Sequence, residues 1–202
     1  AAFKKDGHHD AHEFLQHFMG GSGTEKKFTL KQARGFKPIR DGEARTQQNF
    51  ESITFLGKTE NKELNEKLQG IKEGSPVKIT DKFDAEVGIG GSLLNMIESG
   101  TGFYKAFGLT EIKSEATFTA KRVGNIVYIE GTIDHHWKDR YDFKKWQLAA
   151  EGALTLQKHR GAKPFDFGAK WRQKFSGTVD ISNEVLSNPK IKWRDVEMLK
   201  SN

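Results

Sequence analysis

The chain has no cysteine and only 4 prolines among its 202 residues. Without thiols there is no disulfide framework, thiolate zinc site, iron–sulfur ligation or Cys nucleophile. An oxidising compartment stays open to it, because a large enough core folds without such staples. No stretch approaches the ~18 uninterrupted apolar residues of a membrane-spanning helix, and mean hydropathy is −0.69. The first residues, AAFKKDGHHD, lack the apolar segment of a signal peptide, so export by a general secretory signal is not expected. Charge of one sign is also modest: 33 Lys and Arg against 27 Asp and Glu leave a net +6. Such a surplus suits DNA, RNA, an anionic membrane surface or a phosphorylated substrate, and equally serves solubility alone.

What the chain does have is glycine and phenylalanine, 21 and 15 respectively, which suggests sheet with many tight turns. Residues 11–19 place Phe14, Leu15, Phe18 and Met19 at helical spacing, and Gly20-Gly21-Ser22-Gly23 ends the helix. Further helices are expected around Gly42–Ile53 and over Glu60–Gln69. From Pro76 the period becomes that of a strand, with Val77, Ile79 and Phe83 alternating with Lys78, Thr80 and Lys82. Gly88–Gly108 is Gly-rich, with a short helix expected over Ser92–Glu98. Ala116–Ala120, a Gly124-Asn125 turn and Ile126–Glu130 form a hairpin. Val127, Ile129 and Ile133 share one face of it, Tyr128, Glu130 and Thr132 the other. A helix over Lys145–Gln157 and a strand over Phe165–Trp171 follow, and the basic tail from Ile191 to Asn202 reads as loosely attached. The class is α+β: an antiparallel, partly open, β-barrel-like sheet decorated with short helices, after a helical N-terminal part. Residues 1–75 form that helical arm and 76–202 the second region, or the two make one continuous domain.

Three groups of side chains carry chemical potential. His8 and His12 are four apart and would share a helix face as metal ligands do. Their terminal position, without a nearby carboxylate cluster, favours a solvated face instead. The second group, Asp134-His135-His136-Trp137-Lys138-Asp139-Arg140-Tyr141-Asp142-Phe143, begins where the strongest expected strand ends. Catalytic groups commonly sit where a rigid strand feeds a loop. Its carboxylates suit a divalent cation or general-base work, and a charged loop with internal ion pairs explains it as well. Alternation past Ile133 sends Asp139 and Tyr141 to one side and Asp142 to the other. The third group, His159-Arg160-Gly161-Ala162-Lys163-Pro164-Phe165, sets an imidazole beside a guanidinium, a pairing suited to phosphate chemistry and found equally in basic turns.

Asp139-Arg140-Tyr141-Asp142-Phe143 followed by His159-Arg160-Gly161 resembles the signature of the colicin M family of bacterial toxins, Asp-x-Tyr-Asp-Phe and then His-Arg. The likeness continues in order through Phe14–Gly23, Ile79–Phe83, Thr101–Tyr104 and the hairpin over 115–133, and spans residues 12–182. The resemblance implies hydrolysis of lipid II, the undecaprenyl-anchored peptidoglycan precursor, between lipid and pyrophosphate. It implies Mg2+ as cofactor and action in the periplasm of a target bacterium. Asp142 would be the principal carboxylate, as base or metal ligand, and Asp139 would support it. Tyr141 would hydrogen-bond the diphosphate or hold the loop. His159 and Arg160 would serve proton transfer and charge stabilisation, and His136 and Lys163 would bind substrate. The implied partners are lipid II at the membrane surface, a cognate immunity protein and a secretion-system delivery component, with the toxin a monomer and nucleic acid not favoured.

Two features depart from the family pattern. Seventeen positions separate Asp142 from His159 where the family has a few, and Lys144 stands where it prefers Asn. A helix over Lys145–Gln157 would bring His159 back; otherwise His135 or His136 takes its place. About 75 residues before the first expected strand are too few for the receptor-binding and translocation parts of a three-part bacteriocin, which fits a contact-dependent or type VI secretion effector, or a domain of a longer polypeptide. A metal-dependent nuclease toxin and a non-catalytic membrane-perturbing toxin are the alternatives.

Overall fold

A computed structural model describes residues 9–55, 62–87, 110–142, 158, 161–182 and 187–196. Helix α1 (His9–Met19) buries Phe14 and Phe18 and leaves Met19 exposed, so the apolar stripe is narrower than the sequence spacing suggests. Its end is drawn closed by Gly20 N–H to Gln16 O and Gly21 N–H to Phe18 O. Two residues, Lys26–Lys27, form strand β1. Helix α2 (Leu30–Gly35) starts with a capping box: Thr29 Oγ1 accepts from Gln32 N–H, and Gln32 Oε1 accepts from Thr29 N–H. Helix α3 (Lys37–Phe55) turns Ile39, Glu43, Thr46 and Phe50 inward at three- and four-residue steps. Helix α4 (Lys62–Gln69) comes next.

The strands are β2 (Val77–Val87), β3 (Thr110–Val123), β4 (Ile126–Tyr141), β5 (Phe165–Asp180) and β6 (Ser187–Asp195). Gly124, at φ 59°, makes the turn between β3 and β4. The sheet order is β1-β5-β4-β3-β2, with β6 also paired to β5. The α+β class stands as expected. The sheet itself is open rather than closed into a barrel, and it is mixed, because β1 runs parallel to β5 at Lys26↔Phe167 and Lys27↔Gly168.

Three expectations are corrected. Strand β4 does not end near Ile133 but runs to Tyr141, because His135, Trp137 and Tyr141 keep the buried face occupied at every second residue except Asp139. Strand β5 passes Trp171 to Asp180 on the same logic, through Gln173, Phe175 and Val179. The tail is no loose end as far as Asp195: β6 pairs antiparallel with β5 from Gln173↔Asp195 to Asp180↔Ser187, and Ile191 and Trp193 pack against the core. The expected helices over Ser92–Glu98 and Lys145–Gln157, the Gly-rich stretch Gly88–Gly108 and Thr101–Tyr104 lie outside the described residues.

Two compact units divide the chain: Ala1–Arg40, Glu86–Glu111 and Trp137–Ala169 form the first, and Asp41–Ala85, Ile112–His136 and Lys170–Asn202 the second. The core of the first is aromatic. Phe14 stacks on Phe28 at 5.7 Å between ring centroids, and Phe28 on Trp137 at 5.4 Å. The core of the second is mainly aliphatic around Phe50, Phe118 and Phe175, with Leu68, Ile79, Val127, Ile129 and Ile133.

Candidate functional site

The end of β4 and the start of β5 carry the patch singled out from sequence, within the first unit. Tyr141 is the last strand residue and only 7% exposed. Its ring stacks on Phe165 at 5.3 Å and meets Phe14 and Phe18 edge-on. Burial pushes its hydroxyl up to about 12, so the phenol keeps its proton at any physiological pH. Of the two roles implied for Tyr141, anchoring the strand end matches this burial better than meeting a diphosphate.

Asp139 lies half-buried on the Tyr141 side of the strand, and its Oδ1 accepts from Arg140 N–H at 2.7 Å. Asp142 comes just after the strand end, half-buried. Among the described residues no side-chain partner engages it. Lys138 and Arg140 point the other way and converge on a residue outside every sequence motif, Asp166 of β5, at 3.3 and 2.8 Å. The Arg140 hydrogen bond, aided by Lys138, holds the Asp166 carboxyl below its usual range. A signal for it exists in the chain: alternation from Phe165 places Asp166 on the outer side of β5, where a basic strand neighbour would seek it.

The loop entering β5 is fixed to helix α1. Lys163 N–H donates to Phe18 O at 3.1 Å, and Ala162 is buried. Gly21, at φ 66°, lies so close to Gly161 O that a Cβ there would clash. Lys163 is exposed on this loop. His159 and Arg160 lie outside the described residues; Gly161, the next residue, belongs to the anchored loop whose next strand starts at Phe165 against Tyr141. His17 packs edge-on against Phe165 at 4.3 Å, and its Nε2 donates to Thr24 O at 3.0 Å, so it serves packing. His8 lies outside the described residues. Among the described residues no three His, Asp or Glu side chains gather as a metal site. Mg2+ is commonly held by one or two carboxylates together with water and substrate phosphates, a demand that Asp142, without a side-chain partner among the described residues, fits.

The second unit contains His135 and His136. His136 is half-buried on the outer side of β4. His135 is 1% exposed, with both ring nitrogens occupied. Its Nδ1 lies 2.8 Å from Ser114 Oγ and its Nε2 3.1 Å from Gln173 Oε1. Gln173 Nε2 donates to Asp195 Oδ1 at 3.1 Å, and its Oε1 also accepts from Gln47 Nε2 at 3.0 Å. Since a carboxylate only accepts, the amide orientation is set, and His135 Nε2 carries a proton that it donates to Gln173 Oε1. Trp171 stacks on His135 at 5.0 Å, and its indole N–H donates to Glu43 at 3.0 Å. This chain of polar groups is a satisfied core network, which takes His135 out of contention as a replacement for His159. Asp134, the third carboxylate of the sequence patch, is held by Arg172 at 2.5 and 2.6 Å. These ion pairs, among the described residues, run between strands and not within a loop.

No protein-family profile matches the chain, and no curated protein matches it by sequence. Among solved structures, the crystal structure of pectocin M2 aligns with 91% of this chain at 15% identity and a TM-score of 0.31. The chain spans about half the length of pectocin M2, 52%. A backbone likeness at that TM-score has no bearing on activity.

Proposed function

We propose that this protein is an antibacterial toxin that hydrolyses lipid II between the lipid and the pyrophosphate. The observation that carries the proposal is the Asp139–Asp142 run at the end of β4, where Tyr141 is locked in an aromatic cluster and Asp142 is left without a side-chain partner among the described residues. A carboxylate held at a strand end by a buried neighbour, and spent on no ion pair, is available to a substrate. Asp142 accepts a proton from the attacking water, and Lys163 binds the diphosphate from the anchored loop. His159 protonates the departing lipid alcohol, and Arg160 offsets charge on the phosphoryl oxygens. Where Asp142 serves as a ligand instead of the base, Mg2+ held by it together with the substrate phosphates would supply neutralisation of the diphosphate. On this proposal the protein acts in the periplasm of a target cell, and an immunity protein and a delivery component are its partners.

The test is direct. Purified protein with Mg2+ releases undecaprenol from lipid II, and Asp142→Asn slows the release about 10²–10⁴-fold with an unchanged melting temperature. Intact lipid II after incubation with the folded wild-type protein would sink the proposal.

A further inference from the structure

The pairing of β5 with β6 gathers cations that the sequence scatters. Burial alternates along β5 from Phe165 to Ser176, so Lys170, Arg172 and Lys174 face away from the core that takes Trp171, Gln173 and Phe175. The register sets Lys174 against Arg194, Ser176 against Lys192 and Thr178 against Lys190, and paired residues share a side of the sheet. Lys190, Lys192 and Arg194 are exposed, while Ile191 and Trp193 between them pack inward. Lys170, Arg172, Lys174, Lys190, Lys192 and Arg194 therefore occupy one side of a two-stranded ribbon. Arg172 is matched by Asp134; among the described residues no carboxylate engages the other five. The Arg172–Asp134 pair also shows which side of β4 is shared, and on that side Tyr128 is 52% exposed.

We infer that this side of the β5–β6 ribbon docks on an anionic phospholipid bilayer. A two-row field of long, flexible cations over short hydroxyl residues (Ser176, Thr178) can reach an array of headgroup phosphates. Each such cation strengthens attachment about fivefold. Tyr128 supplies an amphipathic ring of the kind that settles at headgroup depth. Single-stranded nucleic acid is the poorer match, since its binding depends on a row of aromatic side chains for the bases. Here Trp193 is turned inward and Tyr128 stands without a second ring beside it on β4. The inference is independent of the chemistry proposed for Asp142.

Flotation of the full-length protein with vesicles tests it. Phosphatidylglycerol-containing vesicles carry the protein at low salt and release it at high salt, and pure phosphatidylcholine vesicles do not carry it. Combined Lys190→Gln, Lys192→Gln and Arg194→Gln lowers the partition coefficient about 100-fold. Lys31→Gln, Lys37→Gln and Lys72→Gln together remove the same charge from exposed positions off the ribbon and cost only a few-fold. Lys190→Arg with Lys192→Arg retains binding. Lack of preference for anionic vesicles, or equal loss in the two triple variants, overturns the inference. So does oligothymidylate that strips the protein from vesicles at matched phosphate, which assigns the ribbon to nucleic acid. Hydrolysis of detergent-solubilised lipid II by the ribbon variant reports on Asp142 separately.

Discussion

Tyr141 couples the candidate site to stability through a single proton. An unfolded tyrosine ionises near ~10, whereas burial holds this one to about 12. Unfolding therefore releases a proton between those values, and stability falls as pH rises from about 10 to about 12, with no contribution below. In urea titrations the alkaline loss should be smaller in Tyr141→Phe than in the wild type, by on the order of 2 kcal/mol at the upper end. An identical pH dependence in both proteins removes Tyr141 as its source. Glu43 offers a second single-residue test. Its carboxylate is the acceptor for the buried Trp171 indole, so Glu43→Leu orphans a donor at a cost of about 1–3 kcal/mol. Glu43→Gln keeps an acceptor and should lose less than half of that in denaturant melts.

Among the elements, the ladder between β4 and β5 leaves no room at Gly168. A Cβ there would strike Trp137 O and crowd Lys138 Cα on the neighbouring strand. Gly168→Ala should cost about 1–3 kcal/mol and lower the melting temperature, while alanine at Gly74, where space is open, is strained only by the φ of 74°. Local pattern made the hairpin, β2 and helices α1, α3 and α4 legible, since Ile79, Val127, Ile129 and Ile133 announce a core face directly, whereas the short α2 (Leu30–Gly35) carries no such stripe and is not expected from it. It failed at the far ends of β4 and β5, where the polar His135 and Gln173 interrupt the apolar face before Trp137 and Tyr141 on β4 and Phe175 and Val179 on β5. Polar side chains read as exposed until their partners are known, and those partners, Ser114, Gln47 and Asp195, lie 21 to 126 positions away. The same holds for the candidate site: Asp139, Tyr141 and Asp142 are visible as a run, whereas Asp166 becomes visible only through strand pairing.

At the scale of the molecule, an enzyme with a periplasmic substrate should harm cells by location. Expression directed to the periplasm is expected to lyse growing bacteria, and cytoplasmic expression to leave growth nearly unchanged; the Asp142→Asn variant should be harmless in both. Optical density and plating counts read the outcome, and equal toxicity in both compartments goes against a lipid II target. The described indoles add a practical consequence. Trp137 donates to Thr110 within the first unit, and Trp193 to Glu51 within the second. Fluorescence from a variant keeping only Trp137 would track the loss of the aromatic core around Phe28, and from one keeping only Trp193 the loss of the core around Phe50 and Phe175. Each unit thus carries its own intrinsic optical label, and the order in which the two come apart can be recorded without attaching a dye.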